Sequence, residues 1–228
     1  MQTLVFILMI GLLLIGFIVQ ARLRSKMTKY STFPTPNGMS GKEVAAKMLR
    51  DNGLYDVQIT SVPGSLTDHY NPINKSINLS PEVYDGRSIM AAMIAAHECG
   101  HAVQHATAYA WLNLRSTLVP VVSFSSRWMQ WLLLAGILTI QVFPQLLLIG
   151  IVLFALTTLF SFITLPVEFD ASRRGLAWIS KTGFMEGPDY AKAQDGLKWA
   201  AMTYVVAALS SLATLIYYVM IFMGGRRN

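Results

Sequence analysis

Three residues in one short stretch carry the clearest chemical signal in this chain. Ala95-Ala96-His97-Glu98-Cys99-Gly100-His101 contains the pattern His-Glu-x-x-His. On an α-helix, His97 and His101 stand one turn apart on one face, separated by about 6 Å of rise. Two imidazoles at that spacing converge on one tetrahedral zinc ion. Glu98 then lies beside the ion without being a ligand, placed as the general base for a zinc-activated water. With four His and five Glu in 228 residues, chance places the pattern roughly 0.0015 times in such a chain.

A catalytic zinc takes three protein ligands and keeps its fourth position open. His105 is the nearest further donor. It stands about 12 Å of rise from His97 on the same helix, too far for one ion, and the longer third-histidine spacing with its Gly turn is absent. A helix-face role is expected for it instead. The expected third ligand is Glu168, in the acidic cluster Pro166-Val167-Glu168-Phe169-Asp170 that follows a long apolar run. His69 and Tyr70, on a predicted strand ahead of the helix, are candidates to stabilise an oxyanion. Cys99 occupies an x position, points away from the two histidines and reads as a small packing residue. As the single Cys it excludes an intramolecular disulfide and suits a reducing face.

These residues need elements to hold them. The stretch before the motif is alanine-rich and free of proline, with Ser88 as its N-cap, so a helix is predicted. Ser40 and Glu43 form a predicted capping box for an earlier helix that ends at Asp51-Asn52-Gly53. Residues 56–62, 66–70 and 76–79 read as short strands, with Asn71-Pro72-Ile73-Asn74 as a turn. An edge strand of such a sheet can take an extended peptide by strand addition.

Composition sets the setting. The chain is 54% hydrophobic and only 13% charged, against about 25% charged in soluble domains, and its mean hydropathy is +0.46. It reads as a membrane protein. The net charge of +6 gathers beside apolar runs, as topology signals do, and no basic motif interleaved with aromatics points to nucleic acid. Residues 4–19 are almost wholly apolar and are followed at once by Arg22, Arg24, Lys26 and Lys29. That order is the reverse of a cleaved signal peptide, so an anchor with its outgoing end in the cytoplasm is expected.

Further spans are expected near 122–142, 145–165 and 202–223, with Phe143-Pro144 as the outer turn. Pro166 is expected to open a new helix, and 189–199 to form an amphipathic interfacial helix. The expected organisation is a transmembrane anchor at 1–21, a cytoplasmic catalytic part at 22–117 and a transmembrane hairpin at 118–165. A cytoplasmic segment at 166–200 and a last span with its tail at 201–228 complete it. The hairpin returns the chain to the face it left, which brings Glu168 to the side of His97 and His101.

Asp68-His69-Tyr70-Asn71-Pro72, Lys75 to Leu79, Ser80 to Ser88, the histidine helix and Pro166 to Ser172 together resemble the YugP-like neutral zinc metallopeptidases of bacterial membranes. More distantly the chain is similar to membrane zinc proteases of the CAAX and heat-shock types. Those take zinc from His-Glu-x-x-His plus a Glu on a later helix, in Glu-x-x-x-Asp. The resemblance implies zinc held by His97, His101 and Glu168, with Glu98 as base. Ser172 stands where that pattern has its Asp, so Asp170, with Arg173 nearby, becomes the candidate to orient a ligand.

The implied fold is a mainly α membrane protein with four transmembrane helices and a small α+β zincin-like (gluzincin) cytoplasmic catalytic domain. The implied function is a membrane-bound zinc metallopeptidase in the bacterial plasma membrane, active site on the cytoplasmic side, acting on a peptide or membrane-protein substrate. A catalytically idle zinc-binding scaffold is the alternative. A metal transporter fits poorly, because the apolar spans lack ionisable residues apart from Arg127.

Overall fold

The computed structural model describes residues 2–225, with side chains from 4 to 224. The elements in order are α1 (Gln2–Ser31), α2 (Gly41–Asp51), β1 (Gln58–Ser61), β2 (His69–Asn71), β3 (Ser76–Leu79) and α3 (Pro81–Tyr84). They continue with α4 (Ile89–Ala106), α5 (Ala110–Leu138), α6 (Pro144–Lys181) and α7 (Gly187–Gly225). Helices α1, α5, α6 and α7 are long and apolar enough to cross a membrane. The protein is mainly helical, with one small mixed sheet.

The chain divides into two compact units. One holds the described parts of 1–19, 114–165 and 203–228; the other holds 20–113 and 166–202. In the first, Leu133 of α5 packs with Leu147 and Ile151 of α6. Hydroxyls in it bond within a helix or across two: Ser125 Oγ donates to Val121 O at 2.9 Å, and Thr158 and Ser211 share a hydroxyl bond of 2.7 Å. Apolar surroundings leave hydroxyls no water, so such bonds are obligatory.

The second unit is a small α+β body. Its core gathers Val44, Ala45 and Met48 of α2, Ile77 and Leu79 of β3, Val83 of α3, and Met93, Ala95, Ala96 and Cys99 of α4. Trp178 and Ile179 of α6 and Ala193 and Leu197 of α7 close it. The sheet order is β1-β3-β2. β1 runs parallel to β3, pairing Ile59 with Ile77; β2 runs antiparallel, pairing Tyr70 with Ile77. All four residues of β3 are buried, as a central strand requires. Both halves of the predicted capping box form: Ser40 N donates to Glu43 Oε2 at 2.7 Å and Glu43 N to Ser40 Oγ at 3.3 Å.

Several boundaries differ from the sequence reading. The helix that carries the expected anchor runs on through the basic cluster to Ser31, since Lys and Arg are good helix formers. The strand expected over 66–70 is shorter and later, His69–Asn71, because Leu66 turns the chain with φ of 59°. The helix at the first expected span of the hairpin starts earlier and ends earlier than 122–142, running from Ala110 to Leu138. Pro166 opens no new helix but lies inside α6. A proline forfeits one amide donor, a loss that packing on the adjacent turns sustains, and Val167 and Ala171 just beyond are fully buried. The interfacial helix and the last span are one helix, α7, with no proline in 189–223 to part them. Residues 226–228 of the expected tail lie outside the described residues.

Candidate metal centre

The site begins with α4. Ser88 caps it, its Oγ accepting from Ala91 N at 3.2 Å, which satisfies one of the free amides of the first turn. Small residues then recur along it: Ala91, Ala92, Ala95, Ala96 and Ala102 are all buried. Such a helix admits neighbours at backbone distance. α6 uses this at two points. A Cβ on Gly100 would stand 2.3 Å from Ala171 O, and one on Gly175 would stand 2.9 Å from Ala96 O. Glycine is required at both positions for α4 and α6 to touch as closely as they do.

That contact brings Glu168 to the histidines. Its Oε2 lies 3.4 Å from His97 Nε2 and 3.7 Å from His101 Nε2, and one donor atom from each of the three falls within 4.8 Å of the others. The two imidazoles meet edge to face, centroids 4.8 Å apart and planes at 84°. Glu168 and His101 are buried, His97 half-buried. Ligand bonds of about 2.1 Å at tetrahedral angles set donor atoms about 3.4 Å apart. Two neutral imidazoles and a carboxylate are also the donor set of catalytic zinc. The residues present therefore fit that ion.

Each imidazole is held from behind. His97 Nδ1 lies 3.0 Å from Ser172 Oγ. His101 Nδ1 lies 3.0 Å from Gln104 Oε1, and Gln104 Nε2 donates to Val167 O at 2.7 Å and to Asp170 Oδ2 at 3.0 Å. Asp170 in turn accepts from Arg174 Nε at 2.5 Å and from Arg173 Nη2. Asp170 does not take over the place of the missing Asp: Ser172 itself meets His97, and Asp170 reaches the other histidine, through Gln104. The exposed Arg173 pairs with Asp170. Gln104 and Ser172 are the residues that sequence reasoning missed. The available signal for Gln104 was an amide three residues beyond His101, on the same helix face.

Glu98 is buried. Burial pushes its carboxyl up to about 7, against the pull of His97 and an amide bond from Tyr70, and with Glu168 and Asp68 adding to the rise. Asp68 is fixed by Ser80, whose N donates to its Oδ1 at 2.7 Å. Tyr70 therefore meets the site through its backbone, while its hydroxyl lies 2.8 Å from His105 Nδ1. His105 sits on the helix face as expected. His69 is exposed, with Nδ1 2.8 Å from Thr67 O. Cys99 is buried, its thiol near Ala45 O at 3.7 Å and pushed well up by burial, which makes it a packing residue.

A helix bearing His-Glu-x-x-His is thus met by a buried Glu from a second helix, in a chain with four helices long and apolar enough to cross a membrane. The chain belongs to the family described as "Putative neutral zinc metallopeptidase", which it matches over residues 5–223. It is similar to "Putative membrane protease YugP" of Bacillus subtilis (strain 168), 43% identical over 219 residues that cover 96% of each chain. No solved structure matches it.

Proposed function

We propose that this protein is a zinc-dependent endopeptidase of the bacterial plasma membrane, with His97, His101 and Glu168 as metal ligands and Glu98 as general base. The observation that carries the reading is that Glu168 Oε2 lies 3.4 Å from His97 Nε2 and 3.7 Å from His101 Nε2, beside the buried Glu98 carboxyl. Zinc held there would polarise the scissile carbonyl and acidify water.

The chain's own residues do the rest. Glu98, buried beside the two histidines, accepts a proton from the attacking water and returns it to the leaving amine. The Tyr70 amide orients that carboxylate. Ser172 and Gln104 keep the imidazoles aimed at Glu168. β2 is an outer strand of the sheet whose Tyr70 amide meets Glu98, and an extended peptide laid beside that strand would lie along the site. Basic residues after the first apolar stretch favour the cytoplasmic side for the unit that carries the site.

The test is Glu98→Gln in the full chain. The variant is expected to keep stoichiometric zinc by metal analysis and to lose cleavage of an unfolded membrane-protein substrate by at least about 100-fold. Cleavage at the wild-type rate would dismiss the mechanism. A cellular phenotype untouched by the substitution would favour a zinc-binding scaffold.

A further inference from the structure

We propose that Gln104 is the positioning residue that decides how His101 presents itself to the metal, and that it does so by an amide that can point only one way. The proposal rests on the zinc-peptidase reading above.

The hydrogen bonds leave the amide no choice. Its Nε2 faces two pure acceptors, Val167 O at 2.7 Å and Asp170 Oδ2 at 3.0 Å. Only an NH2 group satisfies both, so the carbonyl oxygen must be the atom facing His101. An amide oxygen cannot donate. His101 Nδ1, 3.0 Å away, must therefore carry the hydrogen. A neutral His101 then has its lone pair on Nε2, the nitrogen directed at Glu168. Two lone-pair atoms facing each other at 3.7 Å are held together by a cation, and the orientation of Gln104 thus favours a metal coordinated through Nε2.

The same side chain ties the two helices at the level where the carboxylate is delivered. Val167 directly precedes Glu168, and Gln104 is fully buried. One amide therefore sets the tautomer of a ligand on α4 and the height of a ligand on α6. Asp170, held by Arg174, keeps the NH2 end in place. His97 has no such constraint, because the Ser172 hydroxyl it meets can donate or accept.

The experiment uses the full-length protein in detergent, labelled with 15N-histidine; with four histidines in the chain, each signal is assignable by single substitution. Zinc-loaded wild type is expected to show His101 with a proton on Nδ1 and metal on Nε2. Metal on Nδ1 would overturn the proposal. Gln104→Met is expected to bind Zn2+ about 10- to 100-fold more weakly in competition with a chelator, and to lose the slow exchange of the His101 Nδ1 proton. Affinity within twofold of wild type, with that proton unchanged, would overturn it as well. Should Gln104→Met not fold, Gln104→Asn, which keeps the amide but shortens its reach to His101, is expected to show the same weaker zinc binding and faster Nδ1 proton exchange, and wild-type values there would overturn the proposal. Failure of wild type to bind zinc at all would sink the peptidase reading, whereas normal zinc binding by both proteins would sink only the role of Gln104.

Discussion

Helices α4 and α6 both furnish the site, by different means. In α4 the two imidazoles share a face because 3.6 residues make a turn; a capped, alanine-rich helix supplies that geometry without outside help. In α6 the carboxylate of Glu168 follows a proline and a long apolar run, and nothing local aims it. It arrives because Gly100 and Gly175 let two backbones touch and because Gln104 bonds the carbonyl just before it. Local periodicity can place a pair of ligands, but a third from a distant segment depends on packing between helices.

The sharpest way to break this contrast is at the contact. Gly100→Ala adds a methyl 2.3 Å from Ala171 O. It is expected to cost about 3 kcal/mol of stability and to shift α6 away, with zinc lost although both histidines remain. Thermal unfolding and metal analysis in detergent check this; a variant with wild-type stability and full zinc would deny that the glycines deliver Glu168.

Next comes the delivered group itself. Glu168→Ala is expected to fold, since the change opens a small buried space, and to lose most of its zinc, whereas the α4 residues alone would keep only weak binding. Full stoichiometry after dialysis would strike Glu168 from the ligand set.

A third effect concerns pH in the zinc-free protein. The folded state raises the Glu98 carboxyl from 4.5 to about 7, so it binds more protons than the unfolded chain between those values. Stability is therefore fully present below about pH 4.5 and is lost as pH rises toward 7, by up to about 3 kcal/mol. Glu98→Gln is expected to flatten that slope. Equal slopes in the two zinc-free proteins would show that the buried carboxyl is not the source.

The smallest expected effect is at Ser172. Its hydroxyl is a single neutral partner for His97, whereas His101 is backed by a chain ending in an ion pair. Ser172→Ala should weaken zinc only by a factor of about 3 to 10, the low end for groups that support a ligand. A loss larger than that of Gln104→Met would reverse the ranking of the two supports.

Much of this was legible in the residues. The motif, the Ser88 cap, the capping box at Ser40 and Glu43, and four long apolar helices all follow from short-range rules, because helical period, capping and hydropathy act within a few residues. Glu168 was legible as a candidate because an acidic cluster beside an apolar run is costly without a task. The sequence misled where continuity depends on packing. Pro166 looked like a helix start and is an interior residue; the helix over 189–199 and the last span looked separate and are one.

What the order of residues determined by itself is the chemistry on offer: which side chains can bind a metal, which can carry a proton, and which stretches prefer lipid. What only the tertiary structure decided is how they are aimed. Whether Ser172 or Asp170 backs a histidine, which nitrogen of His101 keeps its hydrogen, and how high Glu168 rides along α4 depend on contacts between residues more than sixty positions apart. No local preference encodes those distances; close backbone packing of two helices does.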